Sequence, residues 1–203
     1  MKNKKDLFEH KSKSWDMNSK RVKNAKEISS LIVKNINLDK DMTIMDFGTG
    51  TGLLSYFIAP LVKKIVAVDN SPSMLDEFEK KSILFDSETE IIQKDLSTDI
   101  IDRQFDGIIS SMTIHHIEEI KALFQKFYTM LPQNGFIAIA DLEEEDGTFH
   151  SDNSGVFHFG FNKEELKVIA TKVGFTDIHF ELANTICKPH KEFNVFLMIG
   201  VKR

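Results

Sequence analysis

The sequence predicts an α/β protein with a doubly wound, mostly parallel sheet and a closing antiparallel hairpin. Three observations predict it. Short apolar runs alternate with helical patterns between residues 43 and 141. Most of the early runs end at or near an acid that opens a turn: Asp46, Asp69, Asp95 and Asp141. Two late apolar runs, 175–182 and 193–200, have no helical pattern between them and therefore pair antiparallel.

The elements follow in order. From Arg21 to Ile36, apolar residues at 22, 25, 28, 31/32 and 36 recur with helical period, and Asn37-Leu38-Asp39-Lys40-Asp41 breaks the pattern. The first strand covers 43–47. A helix over 52–59 stops before Pro60. The second strand runs from Lys64 to Val68 and closes on Asp69. Ser71-Pro72 has a cap residue followed by proline at the first helical position, which starts a helix bearing Met74, Leu75 and Phe78. A short third strand covers 90–93, and a fourth covers 105–110. An amphipathic helix over 117–131 follows, and Pro132-Gln133-Asn134-Gly135 turns the chain into a fifth strand over 136–140. Residues 142–161 break the rhythm; they are acidic and aromatic and carry His150 and His158. Asn162 with Glu165 has the spacing of a capping box, and its helix stops at Gly174.

At 203 residues, with 41% apolar and 28% charged residues, the chain suits one soluble globular domain spanning 1–203. No apolar run reaches the length of a membrane span, and no secretory h-region follows the first residues. One cysteine, Cys187, gives neither an internal disulfide nor a metal cluster, so the cytoplasm is the expected compartment. Charge is uneven. Residues 1–26 hold nine Lys/Arg against Asp6, Glu9 and Asp16, a net of +6, which leaves −11 on the remainder of a chain of net −5. A basic arm can contact nucleic acid. This one has only Phe8 and Trp15 as aromatics beside an acidic body, which favours a solvated amphipathic arm.

The most informative stretch is Ile44-Met45-Asp46-Phe47-Gly48-Thr49-Gly50-Thr51-Gly52-Leu53-Leu54-Ser55. Strand, glycine turn and helix make a nucleotide-cradling unit, because glycines let backbone approach a ligand and helix-start N–H groups favour a negative group. A dinucleotide fingerprint counted from Gly48 and Gly50 requires glycine at 53, where Leu53 stands; the third glycine is at 52. The run Asp46-x-Gly48-x-Gly50-x-Gly52 resembles motif I of the class I S-adenosylmethionine-dependent methyltransferases. The resemblance implies a Rossmann-like seven-stranded sheet of order 3-2-1-4-5-7-6, with the turn cradling the amino-acid end of the cofactor. Asp69, 21 residues after Gly48, can accept hydrogen bonds from both ribose hydroxyls, a feature shared with NAD-binding folds. Asp95-Leu96 resembles the family's adenine-facing pair. Ser110-Ser111-Met112-Thr113-Ile114-His115-His116 is similar to a segment of small-molecule methyltransferases, including those of quinone biosynthesis. It departs from the Asn/Asp-Pro-Pro-aromatic of enzymes that methylate amino groups of DNA, which argues against a nucleic-acid substrate.

The resemblance thus assigns S-adenosyl-L-methionine to Asp46, Gly48, Thr49, Gly50, Gly52, Asp69, Asn70, Met74, Asp95, Leu96 and Ser110. Either His115 or His116 can take a proton from an acceptor hydroxyl or thiol; the competing reading is that one steadies the loop and the other caps a helix. Residues 1–36, a helical arm, and 142–161, an insertion, are expected to cover a small-molecule acceptor pocket that includes Trp15, His150 and His158. Glu143, Asp146, His150 and His158 match no zinc or iron signature, so no metal is assigned. Methyl transfer from a sulfonium asks mainly for in-line positioning and exclusion of water, which is consistent with the lack of a visible triad. Two other functions fit parts of the sequence: a cofactor-binding protein without catalysis, and an NAD-dependent oxidoreductase that shares Asp69 but fails at Leu53.

Overall fold

The computed structural model describes residue 6 and residues 8–203. The lysines at 2, 4 and 5 of the basic arm lie outside the described residues. A 3-10 segment, Ser12–Met17, leads into α1 (Ser19–Asn35), which Asn18 caps by accepting from the amides of Lys20 and Arg21. The alternating body then runs β1 (Thr43–Phe47), α2 (Leu53–Ile58), β2 (Lys64–Asp69), α3 (Pro72–Ser82), β3 (Glu88–Gln93), β4 (Gly107–Ser111), α4 (Ile120–Thr129) and β5 (Phe136–Leu142). It closes with α5 (Lys163–Val173), β6 (Phe175–Lys188) and β7 (Lys191–Lys202).

The seven strands form one sheet of order β3-β2-β1-β4-β5-β7-β6, parallel except where β7 meets β5 and β6. Successive residues of the inner strands point to opposite faces, and both faces are buried. Ile44, Ile65, Ala67 and Ile109 face α1 and α2, with Ile28, Ile32, Leu54 and Ile58 packed on them. Met45, Val66, Val68 and Ile108 face the layer of Leu123, Phe124 and Phe127 from α4 and Leu166 and Ala170 from α5. That two-sided burial explains why these strands read as continuous apolar runs.

Element boundaries differ most from the sequence reading in three places. The fourth strand begins at Gly107 rather than Phe105, because the Phe105 amide donates to Met130 O and the Asp106 carboxylate accepts the Thr43 amide. The helix expected over 117–131 is split: Ile114–His116 forms a 3-10 turn, Ile117 is extended, and α4 starts at Ile120. The last two strands are longer than predicted. They pair through Lys188↔Lys191 around a turn at Pro189-His190, in a stretch whose polar, exposed residues hide the strand pattern. Ser71 and Asn162 cap α3 and α5 as their sequence contexts predict. Among the described residues no helix is long and apolar enough to cross a membrane.

Candidate active site

The carboxyl ends of β1, β2, β4 and β5 meet at one edge of the sheet, and the order reverses between β1 and β4. This switch point is where an open α/β sheet leaves a crevice for a ligand. The glycine turn forms its floor. Gly48, Gly50 and Gly52 all adopt left-handed φ values, of 65°, 54° and 80°. The turn is tied to β2: the Gly48 and Thr49 amides donate to Val68 O, and the Gly50 amide donates to Asp69 Oδ2 at 2.8 Å. A Cβ at Gly48 would lie 2.1 Å from Thr113, and one at Gly52 would lie 2.6 Å from the Phe78 ring, whereas one at Gly50 would meet nothing within 4 Å. The flanking glycines therefore serve packing, and Gly50 borders open space.

Asp46 braces this turn from beneath. Its Oδ2 accepts the hydroxyls of Thr49 at 2.9 Å and Ser55 at 2.6 Å, and the residue is 1% exposed. Burial pushes its carboxyl up to about 6, against the two hydroxyl bonds and with help from the Asp69 charge. Asp69 is half-buried and bridges the turn to α3, accepting the Gly50 and Ser71 amides on separate oxygens. Burial raises its carboxyl too, with the amides of Ser71, Gly50 and Asn70 opposing.

The other residues assigned from sequence occupy varied settings. Asn70 is exposed beside Asp69. Met74 is buried in the first turn of α3, its amide on Ser71 Oγ. Asp95 is half-buried at the end of β3 and its Oδ1 accepts the Ser97 amide and hydroxyl. The Leu96 side chain belongs to the core and its carbonyl accepts from Lys126, so any ligand contact there would be through the main chain. Ser110 is fully buried and its hydroxyl donates to Phe47 O at 2.8 Å, which ties β4 to β1; its side chain is spent inside the sheet.

A cover lies over the floor. From the arm, Asp16 accepts from Thr51 Oγ1 at 2.6 Å and pairs with Lys81, and Asp6 accepts from Ser71 Oγ and the Ser73 amide. Trp15 is half-buried, with Arg21 stacked 3.7 Å over its ring and Phe8 edge-on; Phe8 in turn meets His116 edge-on at 5.9 Å. From the insertion, the amides of Phe157 and His158 donate to His115 O, and Gly155 O accepts from His116 Nδ1 at 2.7 Å. His158 Nε2 lies 2.9 Å from Ile117 O and the ring packs on Phe161, so this histidine clamps the insertion to the turn before α4. His115, His116 and His150 come together, with ring centroids 4.2 Å, 4.9 Å and 5.8 Å apart. Glu143 pairs with Lys163 and Asp146 with Lys191, so neither acid is joined to the histidines.

Sequence reasoning missed Asp141, Thr113 and the docking acids of the arm. Asp141 is visible in the sequence as a strand-end acid, like Asp46 and Asp69, but nothing in the sequence ties it to His115. Beside Trp15, it is Asp16 that reaches the glycine turn.

Known proteins match this architecture. Residues 45–139 match the model of the Methyltransferase domain family. The matched stretch, just under half of the chain, is thus similar to a methyltransferase domain. Among similar proteins, an uncharacterized methyltransferase of Schizosaccharomyces pombe is 32% identical over 147 residues, 63% of this chain and 51% of that protein. Malonyl-[acyl-carrier protein] O-methyltransferase of Priestia megaterium is 28% identical over 122 residues, 59% of this chain and 43% of that one. The chain thus spans about half the length of these curated relatives. Haemonchus contortus phosphoethanolamine N-methyltransferase 2, solved in complex with S-adenosyl-L-methionine, superposes with a TM-score of 0.72 at 17% identity, over 97% of this chain and 59% of that chain.

Proposed function

We propose that this chain transfers the methyl group of S-adenosyl-L-methionine to a small-molecule acceptor, within one domain covered by the 1–36 arm and the 142–161 insertion. The observation that carries the reading is Gly50. It is left-handed, its α-carbon borders open space, and its amide is locked to a half-exposed acid at the switch point. A ligand can approach the backbone there, and a carboxylate with spare acceptor capacity stands beside it.

The residues fit this cofactor in kind. The 48–52 turn would take its amino-acid end, Asp69 its ribose hydroxyls, and the Asp95-Leu96 backbone its adenine. Bound there, the cofactor supplies a methyl group already activated on a sulfonium. The chain's own task is then to orient the acceptor and exclude water. The arm suits that task by fastening at Thr51 and Ser71, the insertion by lying over His115. A nucleic-acid substrate is disfavoured by the Ser110–Thr113 segment and the acidic body.

Calorimetry with S-adenosyl-L-methionine and S-adenosylhomocysteine tests the reading. Saturable binding of both is expected; no heat from either at millimolar concentration overturns it.

A further inference from the structure

Asp141 closes β5 at the same sheet edge as the glycine turn, and its carboxylate is devoted to one histidine. Oδ1 lies 2.7 Å from His115 Nδ1, Oδ2 accepts the His115 amide at 3.3 Å, and Oδ1 also accepts the Leu142 amide at 2.8 Å. His115 is 1% exposed and Asp141 is 0% exposed. Burial alone would raise the Asp141 carboxyl, but the charge and hydrogen bonds of His115 and the Leu142 amide hold it below its usual range. A carboxylate that accepts on both oxygens leaves the proton of the contact on His115 Nδ1, so the neutral ring has its lone pair on Nε2.

That Nε2 is buried and has no hydrogen-bond partner among the described residues, and neither has Nε2 of His150. The two rings lie 4.9 Å apart, one on the floor of the cleft and one on the insertion. His116 donates through Nδ1 to Gly155 O, so its Nε2 is an acceptor as well. An unpartnered buried polar atom costs about 1–3 kcal/mol and is uncommon in native proteins. Acceptor nitrogens clustered just past Thr113, whose hydroxyl donates to Gly48 O of the glycine turn, mark a place for a hydrogen-bond donor brought by a ligand.

Resting on the function proposed above, we infer that His115 is the general base, that Asp141 is its positioning residue, and that the methyl acceptor carries a transferable proton on its nucleophilic atom. Hydroxyls, amines and thiols fit; an ionised carboxylate does not. The acceptor's heteroatom bonds the methyl carbon, and the carbon–sulfur bond breaks with its electron pair left on sulfur. The acceptor's proton passes to His115 Nε2. The imidazolium so formed lies against the buried Asp141 carboxylate, so charge is created beside its counter-ion rather than alone. The groups facing His115 are Asp141 of β5, His116 of the same turn and His150 of the insertion; Lys11 and Lys188 act on the two outer rings. Burial first, and then the positive neighbours, hold His116 and His150 down to about 4, so both are neutral near pH 7.

Two measurements on the full chain test this. Nitrogen-15 NMR with S-adenosylhomocysteine bound reads the tautomer: Nδ1–H with a bare Nε2 is expected for His115, switching to Nε2–H in Asp141→Asn, whose amide donates to Nδ1. A native Nε2–H tautomer overturns the inference. A coupled assay for S-adenosylhomocysteine then compares phenol, 2-mercaptoethanol, phosphoethanolamine and a malonyl thioester. Turnover of a proton-bearing compound is expected. His115→Gln should lower kcat about 10²–10⁴-fold, with added imidazole restoring part of the rate and cofactor affinity unchanged by calorimetry. Turnover of the carboxylate alone, turnover of none, or a His115→Gln enzyme as fast as the native one each overturn the inference. Should Asp141→Asn fail to fold, the native tautomer and His115→Gln still decide it. Loss of cofactor binding by the native chain would overturn the proposed function itself; intact binding without dependence on His115 overturns only this step.

Discussion

The floor and the cover of the cleft are both built from short polar stretches, yet they are held in different ways. The floor is main chain locked to main chain and to two acids: the turn's amides are fixed by Val68 O and Asp69, and the hydroxyls of Thr49 and of Ser55 in α2 by Asp46. The cover is held mostly by side chains reaching across it, with Asp16 on Thr51 and Lys81, Asp6 on Ser71 and Ser73, and His158 on Ile117 O, and its main-chain ties are the Phe157 and His158 amides on His115 O. Around these clamps the cover stays solvated, with Met17 84% and Phe157 54% exposed. A floor of that kind has one shape. A cover of that kind can be refastened without disturbing the sheet.

The largest expected effects separate the glycines of the floor. Gly48→Val must fit a branched side chain at a left-handed residue whose Cβ would overlap Thr113. Strain plus overpacking should cost about 3–5 kcal/mol in denaturant unfolding. Gly50→Val incurs only the backbone strain, about 1–3 kcal/mol, because its Cβ enters open space. Gly50→Val should therefore stay folded and lose the cofactor. If it binds normally in calorimetry, the cofactor does not lie on this turn.

Next in size is the brace. Asp46→Ala strands the buried hydroxyls of Thr49 and Ser55, at an expected cost of roughly 2–4 kcal/mol in stability. Asp46→Asn keeps an acceptor for both hydroxyls and should cost far less. An equal cost for the two variants would show that the charge, and not the hydrogen bonds, holds the turn. Asp69→Ala acts on the ligand side of the same floor and should weaken cofactor binding by about 1–3 kcal/mol, with S-adenosylhomocysteine losing as much as S-adenosyl-L-methionine because both share the ribose. Unchanged affinity would remove Asp69 from the ribose site.

The same division decided what could be read from the sequence. The floor was legible because its causes are local. Three glycines at alternate positions, an acid before them and an acid at the end of the next strand lie within Asp46–Asp69, and the periodicities on either side report burial on two faces. The cover was less legible because its causes are distant in sequence: Asp16 meets Lys81, and His115 meets both Asp141 and His150. Periodicity carries no such information. Trp15, expected in the acceptor pocket, stacks with Arg21 within the arm, while its neighbour Asp16 makes the bond to the floor. The hairpin tip escaped for another reason: Asn184 to Glu192 is polar or exposed along most of its length, so its pairing left no apolar alternation to find.

Smaller effects belong to the cover. Asp16→Ala removes one hydroxyl bond and one ion pair that is partly exposed, and should cost about 1 kcal/mol or less in global stability. Its signature should instead be local, as faster proteolytic cleavage around Lys11–Lys20 and a larger spread of Trp15 fluorescence. A large drop in global stability would make the arm part of the core fold.

The last prediction sets floor and cover against each other under one change of pH. Asp46 has a folded value near 6, above the ordinary 3.8, so the folded state binds this proton more readily than the unfolded chain does. Its contribution to stability is fullest below pH 3.8 and is lost as pH rises through 6, so acidifying from 7 tightens the floor. His116 and His150 have folded values near 4, below the ordinary 6.5, because the cover buries them against His115. Their contribution is present above pH 6.5 and is lost as pH falls toward 4, so the same acidification loosens the cover. Hydrogen exchange of the Phe157 and His158 amides, which donate to His115 O, reads the cover. Exchange of the Gly48 and Gly50 amides, on Val68 O and Asp69, reads the floor. After correction for intrinsic rates, protection should fall for the first pair and hold or rise for the second between pH 7 and 5. His150→Gln should reduce the fall by removing one of the two titrating rings, and parallel loss of protection at both pairs would mean that floor and cover open as one unit.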